Sequence, residues 1–138
     1  MSLQVIFDTV HSDLSGQVEE ICLKILEQMQ RCEIDQLERV TYPIIASWTE
    51  LKPSDKMLHS AVRALTHLRH SPLEMYFVFL DIEDDIEIAL PVEEIAEALR
   101  EEYFVHPRTG NHISNFENLL IPVFRASEEY VKGAEGGR

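Results

Sequence analysis

The stretch Ser71-Pro72-Leu73-Glu74-Met75-Tyr76-Phe77-Val78-Phe79-Leu80-Asp81 decides how the chain is built, because two local rules disagree over it. Ser71, Pro72 and Glu74 fall at the N-cap, N1 and N3 positions of a helix start, where serine and glutamate side chains take up otherwise unpaired backbone amides. Met75 to Phe79 instead carries aromatic and β-branched side chains that suit a pleated strand. The capping chemistry favours a helix over 72–83. Such a helix is apolar nearly all round, with a narrow polar stripe at Glu74, Asp81 and Asp85. It therefore belongs in the middle of a core or against a second copy of the chain. Met75, Val78 and Phe79 are the side chains through which 72–83 would form a homodimer.

Toward the N-terminus, helical spacing dominates. Leu3, Ile6, Phe7, Val10 and Leu14 recur every three or four residues. Leu14, Val18, Ile21, Cys22, Ile25, Leu26 and Met29 make a clearer stripe, with Ser12 or Asp13 available to cap its start. Residues 34–51 repeat the pattern, but Pro43 demands a kink or two short helices meeting near Tyr42. A further helix follows Pro53-Ser54 and runs to about His70, with Met57, Leu58, Ala61, Val62, Leu65 and Leu68 inward.

On the C-terminal side, Asp85 to Leu90 alternates like a short strand, and Pro91 opens a helix with Val92, Ile95, Ala96 and Leu99 on one face. Tyr103 to His106 is strand-like, and Pro107-Arg108-Thr109-Gly110-Asn111 supplies turn chemistry, which gives a hairpin near 103–113. Ser114-Asn115-Phe116-Glu117 is another capping box, opening a stripe through Phe116, Leu119, Leu120, Val123, Phe124 and Val131 that Pro122 kinks. The expected fold is mainly α: a compact bundle of about six helices in one domain over 1–132, with a short β-hairpin near 103–113. Residues 133–138 are expected to be a disordered tail.

Leu90-Pro91-Val92-Glu93-Glu94-Ile95-Ala96-Glu97-Ala98-Leu99 resembles the first helix of a helix-turn-helix pair, and the order of elements around it loosely resembles a winged helix. That resemblance implies a winged-helix-like C-terminal half and a nucleic-acid-associated regulator as the alternative function. Against it, the link from Glu102 to Ser114 is far longer than a three-to-four-residue turn. The would-be reading helix also offers only Arg125 and Lys132 against Glu117, Glu128 and Glu129.

Charge is the most informative total. The 138 residues carry a formal net charge of −13, and residues 73–102 hold eleven acids against the single base Arg100. Such a field repels nucleic acid and anionic membranes and favours a cationic partner. The longest apolar run, Met75 to Leu80, falls far short of the roughly eighteen residues a membrane helix needs, and the first residues lack a basic leader segment. A cytoplasmic location follows as an expectation. Cys22 and Cys32, ten residues apart in one helical pattern, are too distant to bridge and are expected as free thiols.

Few constellations carry chemistry. His59, Arg63, His67 and His70 follow at offsets of four, four and three, the one cationic helix face in an acidic chain. His67 and His70 have a spacing that two imidazoles can use to share a metal ion, so a histidine-based metal-dependent enzyme is a second alternative. No HExxH is present, and Pro72 breaks the path from His70 to Glu74. The run Asp81 to Glu87 fails as a calcium loop because Ile86 and Val92 stand where glycine and glutamate are needed. There is no GxSxG elbow and no phosphate-cradling glycine loop. The expected function is a non-enzymatic, regulatory protein-interaction module without cofactor. Its acidic region 81–102, with Asp81, Glu83, Asp84, Asp85 and Glu87, would bind a partner with a basic surface.

Overall fold

The computed structural model describes residues 3–81, 86–90, 92–101, 104–106, 109–110, 112–113 and 119–136. Six α-helices and five strands appear in the order α1 (Leu3–Asp13), α2 (Gly16–Arg31), a 3₁₀ turn (Ile34–Leu37), α3 (Tyr42–Thr49), α4 (Lys56–His67), β1 (Leu73–Asp81), β2 (Ile86–Leu90), α5 (Val92–Glu101), β3 (Phe104–Val105), β4 (His112–Ile113), β5 (Leu120–Ala126) and α6 (Glu128–Gly136). The architecture is therefore mixed helix and sheet rather than a purely helical bundle. Two compact units divide it: residues 1–74 with 124–138, and residues 75–123.

In the first unit, α2 packs on α3 and α4, and α1 packs on α2 and α6. Ile21, Cys22, Ile25, Leu26 and Met29 meet Leu58, Ala61, Val62 and Leu65 in a water-free core. These are the positions the helical period selects. Asp55 caps α4, accepting the amides of Met57 at 2.8 Å and Leu58 at 3.1 Å. Residues 34–51 divide as Pro43 requires, into the 3₁₀ turn and α3. Ser12 and Asp13 end α1 instead of starting α2, whose N-cap is Ser15.

The helix expected over 72–83 is the strand β1. It is the central strand of a three-stranded sheet in the order β2-β1-β5, and it pairs with β2 antiparallel through Phe77↔Leu90, Phe79↔Ile88 and Asp81↔Ile86. The capping chemistry is used differently. Ser71 Oγ donates back to the Leu68 carbonyl, while the Ser71 and Pro72 carbonyls accept from Ser127 Oγ at 2.6 Å and Ser127 N at 2.8 Å. A capping box stabilises a helix by only about 1–2 kcal/mol. A central strand, by contrast, pairs both of its edges, and an apolar run on both faces suits a covered strand.

A second correction concerns the stripe drawn through Phe116 to Val131. Leu120–Ala126 is strand β5, and helix α6 starts only at Glu128. Val40 and Phe124 exchange two backbone hydrogen bonds of 2.7 Å on β5. Pro122, two residues earlier, faces the same edge, where its missing donor is tolerated. The capping box at 114–117 lies outside the described residues. Helix α6 continues to Gly136, so residues 133–136 are helical and not a tail.

The hairpin expected near 103–113 is present as β3 and β4, paired Phe104↔Ile113 and Val105↔His112. In the second unit, Phe79, Leu90, Ile95 and Ala98 form a small buried cluster edged by Phe77, Ile88, Ile113, Leu119 and Leu120. The winged-helix alternative loses its frame. The elements before β2 and after the hairpin that were expected as helices are strands β1 and β5 over their described residues.

Candidate functional site

Helix α4 turns Leu58, Ala61, Val62 and Leu65 inward and leaves His59, Arg63 and His67 exposed. The expected cationic face is real as far as His67, and each of its members is held differently. His59 Nε2 donates to the Pro53 carbonyl at 2.7 Å, and its ring stacks on Tyr42 with centroids 4.3 Å apart. Tyr42 meets Phe124 edge-on at 5.1 Å, and burial pushes its phenol above the ordinary value, partly offset by the nearby Arg63 charge. His67 Nδ1 lies 2.8 Å from the Arg63 carbonyl and 2.9 Å from Thr66 Oγ. His70 leaves the face, because α4 ends at His67 and Leu68 is extended. It is half-buried beside Glu129, with Nδ1 2.5 Å from the carboxylate. Among the described residues, no three His, Cys, Asp or Glu side chains converge as a metal would require.

Lys56, Ser60 and Arg63 follow one another at helical spacing and, with Ser54 and His59, line an open notch of about 370 Å³. A second hollow of about 510 Å³ lies over Ile34, Leu37, Glu38, Arg125, Ala126 and Val131. Arg125 there bonds Glu74 at 3.1 Å.

The acidic region is described in part. Glu83, Asp84 and Asp85 lie outside the described residues. Asp81 closes the β1–β2 register, and Glu87 is exposed on β2. Of the apolar candidates, Val78 is 2 % exposed and Phe79 is 1 % exposed, so neither is available to a partner, while Met75 is half-buried. The reason is the helix-to-strand correction: a central strand hides the side chains that a lone helix would present.

Helix α5 presents what β1 does not. Ile95 and Ala98 are its buried positions, whereas Val92 at 38 % and Leu99 at 56 % stand in solvent. At 100° per residue, Val92, Ala96 and Leu99 fall within about 60° of arc, one straight line along the helix. Arg100 and Glu93 lie nearest this line on its solvent side, Glu97 is farther round, and Glu94 and Glu101 are exposed on the opposite face. The sequence period placed Val92, Ile95, Ala96 and Leu99 on one face, but the small core takes only the Ile95 side of that arc.

The remaining reactive groups are structural. Cys22 is fully buried, its thiol donates to the Ala61 carbonyl at 3.4 Å, and burial pushes its pKa up to about 12. Both cysteines are free. His106, 7 % exposed, sets its ring edge-on to Phe79 at 5.5 Å and accepts the Thr109 amide on Nδ1 at 3.2 Å, which fixes the turn after β3. Glu129 and Ser127 escaped the sequence reading because their partners, His70 and Ser71, are more than fifty positions away. Comparison with protein-family models, curated proteins and solved structures finds no significant match to this chain.

Proposed function

We propose that the chain is a non-enzymatic interaction module that docks a basic, amphipathic segment of a partner protein on the outer face of α5. The observation that carries this is the line Val92, Ala96 and Leu99, left in water on a helix that bears four exposed glutamates against one arginine. An exposed apolar stripe on a net acidic helix is complementary to a helix with apolar anchors at i, i+3/i+4 and i+7 and lysines or arginines elsewhere. Exposed Glu87 on β2 adds to the negative charge that would steer such a partner.

The test uses a synthetic helical peptide with leucines at that spacing and lysines elsewhere, followed by fluorescence anisotropy. Wild-type protein binds it with an affinity that falls as salt rises. Leu99→Glu and the pair Glu93→Lys/Glu97→Lys each weaken binding at least tenfold, a loss of about 1.4 kcal/mol or more. Equal binding by all three proteins refutes the assignment.

A further inference from the structure

The notch on α4 rests on an observation separate from the α5 surface. Lys56 and Arg63 make no ion pair among the described residues, although the chain holds twenty-five acids against twelve lysines and arginines. No carboxylate lines the notch they share with Ser54, His59 and Ser60. The one acid beside it in sequence, Asp55, is committed to the α4 cap through the Met57 and Leu58 amides. His59 is fixed by its Nε2 bond to Pro53 and its stack on Tyr42, which leaves Nδ1 as the ring's remaining polar atom. Lys56 and Arg63, both exposed and two turns apart on α4, leave their charges open to an anion in the notch. Guanidinium, ammonium and two hydroxyls are also the donor set that a tetrahedral oxyanion accepts.

We infer that this notch is a binding site for a phosphoryl group, held by Lys56 and Arg63 as charged donors, with the Ser54 and Ser60 hydroxyls completing its oxygens' hydrogen bonds. The notch is open and at the small end for ligand pockets, with room for a phosphate and part of the group it is attached to. Free phosphate and a phosphomonoester share this chemistry.

Two-dimensional amide NMR of the full chain, titrated with inorganic phosphate and separately with phenyl phosphate, tests it, with sodium chloride at matched ionic strength as reference. Saturable shifts confined to the amides of residues 54–63 and absent with chloride are the expected result. Tighter binding of phenyl phosphate identifies a phosphomonoester as the occupant, and equal binding identifies the free anion. Lys56→Gln and Arg63→Gln each weaken binding about fivefold, the discounted value of a charged hydrogen bond at an open site. Lys24→Gln with Arg31→Gln removes the same charge from exposed positions on α2 and leaves the affinity unchanged. Non-saturating shifts with both probes, or equal weakening by the α2 pair, overturn the site.

Discussion

Two alanine substitutions on α5, one turn apart, separate its structural face from its recognition face. Ile95 is 5 % exposed inside the cluster of Phe79, Leu90 and Ala98. Truncating a buried isoleucine removes its transfer free energy and leaves a cavity, together about 2–5 kcal/mol. The cluster is small and edged by half-buried side chains that can close inward, so Ile95→Ala should cost about 2–3 kcal/mol. Leu99, 56 % exposed, has already forgone most of its burial. Leucine and alanine differ little in helix propensity, so Leu99→Ala should change stability by less than about 0.5 kcal/mol. Its effect belongs to binding: burying the exposed half of a leucine is worth about 1 kcal/mol, and the basic peptide should bind roughly fivefold more weakly. The assay must report on the second unit. The single tryptophan, Trp48, lies on α3 in the first unit, so its fluorescence can miss unfolding elsewhere. Hydrogen exchange of peptides spanning 75–101 reads the correct unit. If Leu99→Ala speeds that exchange as much as Ile95→Ala does, Leu99 belongs to the core and the docking surface is misassigned.

Other outcomes follow from particular contacts. Asp55→Ala removes the acceptor for two α4 amides and should lower stability by about 1 kcal/mol in urea melts followed by Trp48 fluorescence. Ser127→Ala deletes both the hydrogen bond to the Ser71 carbonyl and the acceptor for the Tyr130 amide, for about 1.5–3 kcal/mol by the same measurement. Cys22 titrates at about 12 in the fold against an ordinary 9.0, so the folded chain holds this proton more tightly than the unfolded one. Its contribution is complete below pH 9 and is lost as pH rises toward about 12. Cys22→Ala should therefore flatten the alkaline decline in stability followed by circular dichroism. The same burial leaves Cys22 unalkylated in native protein at pH 8, where half-buried Cys32 reacts first, as mass spectrometry of iodoacetamide-treated protein will show.

Helices α2 and α4 were legible because each writes its own buried face at a period of 3.6 within one short window, whereas on α5 the same period revealed the helix but not which side is buried. The hairpin was legible too, since turn chemistry between two strand-like segments is equally local. Strands β1 and β5 were not. Ser71, Pro72 and Glu74 compose a locally valid helix start, and what overrides it is pairing with segments beginning at Ile86 and Leu120. Around Pro122, Leu119, Leu120, Val123 and Phe124 satisfy a helical spacing and a covered strand about equally well, so periodicity alone could not arbitrate. The sequence located the acidity of the candidate site, but the exposed Leu99 line depends on how much of the apolar arc a small core can cover. His70 was placed on the α4 face only because the end of the helix at His67 was not foreseen.

The first unit is interrupted: it runs to Glu74 and resumes at Phe124, with residues 75–123 forming the other unit between. Strands β1 and β5 bridge that interruption as neighbours in one sheet. The chain thus leaves and returns through adjacent strands, the arrangement of a guest carried within a host. For synthesis this sets an order. Helix α1 and the fully buried Tyr130 of α6 belong to the same unit, yet the guest must be translated between them. Until then the host lacks the end of β5, Phe124–Ala126, and helix α6. Joining its two parts through a random coil of that length would carry a closure cost growing with the logarithm of the loop. A guest that has already paired β1 with β5 delivers both ends together, so the host's late closure becomes a local event.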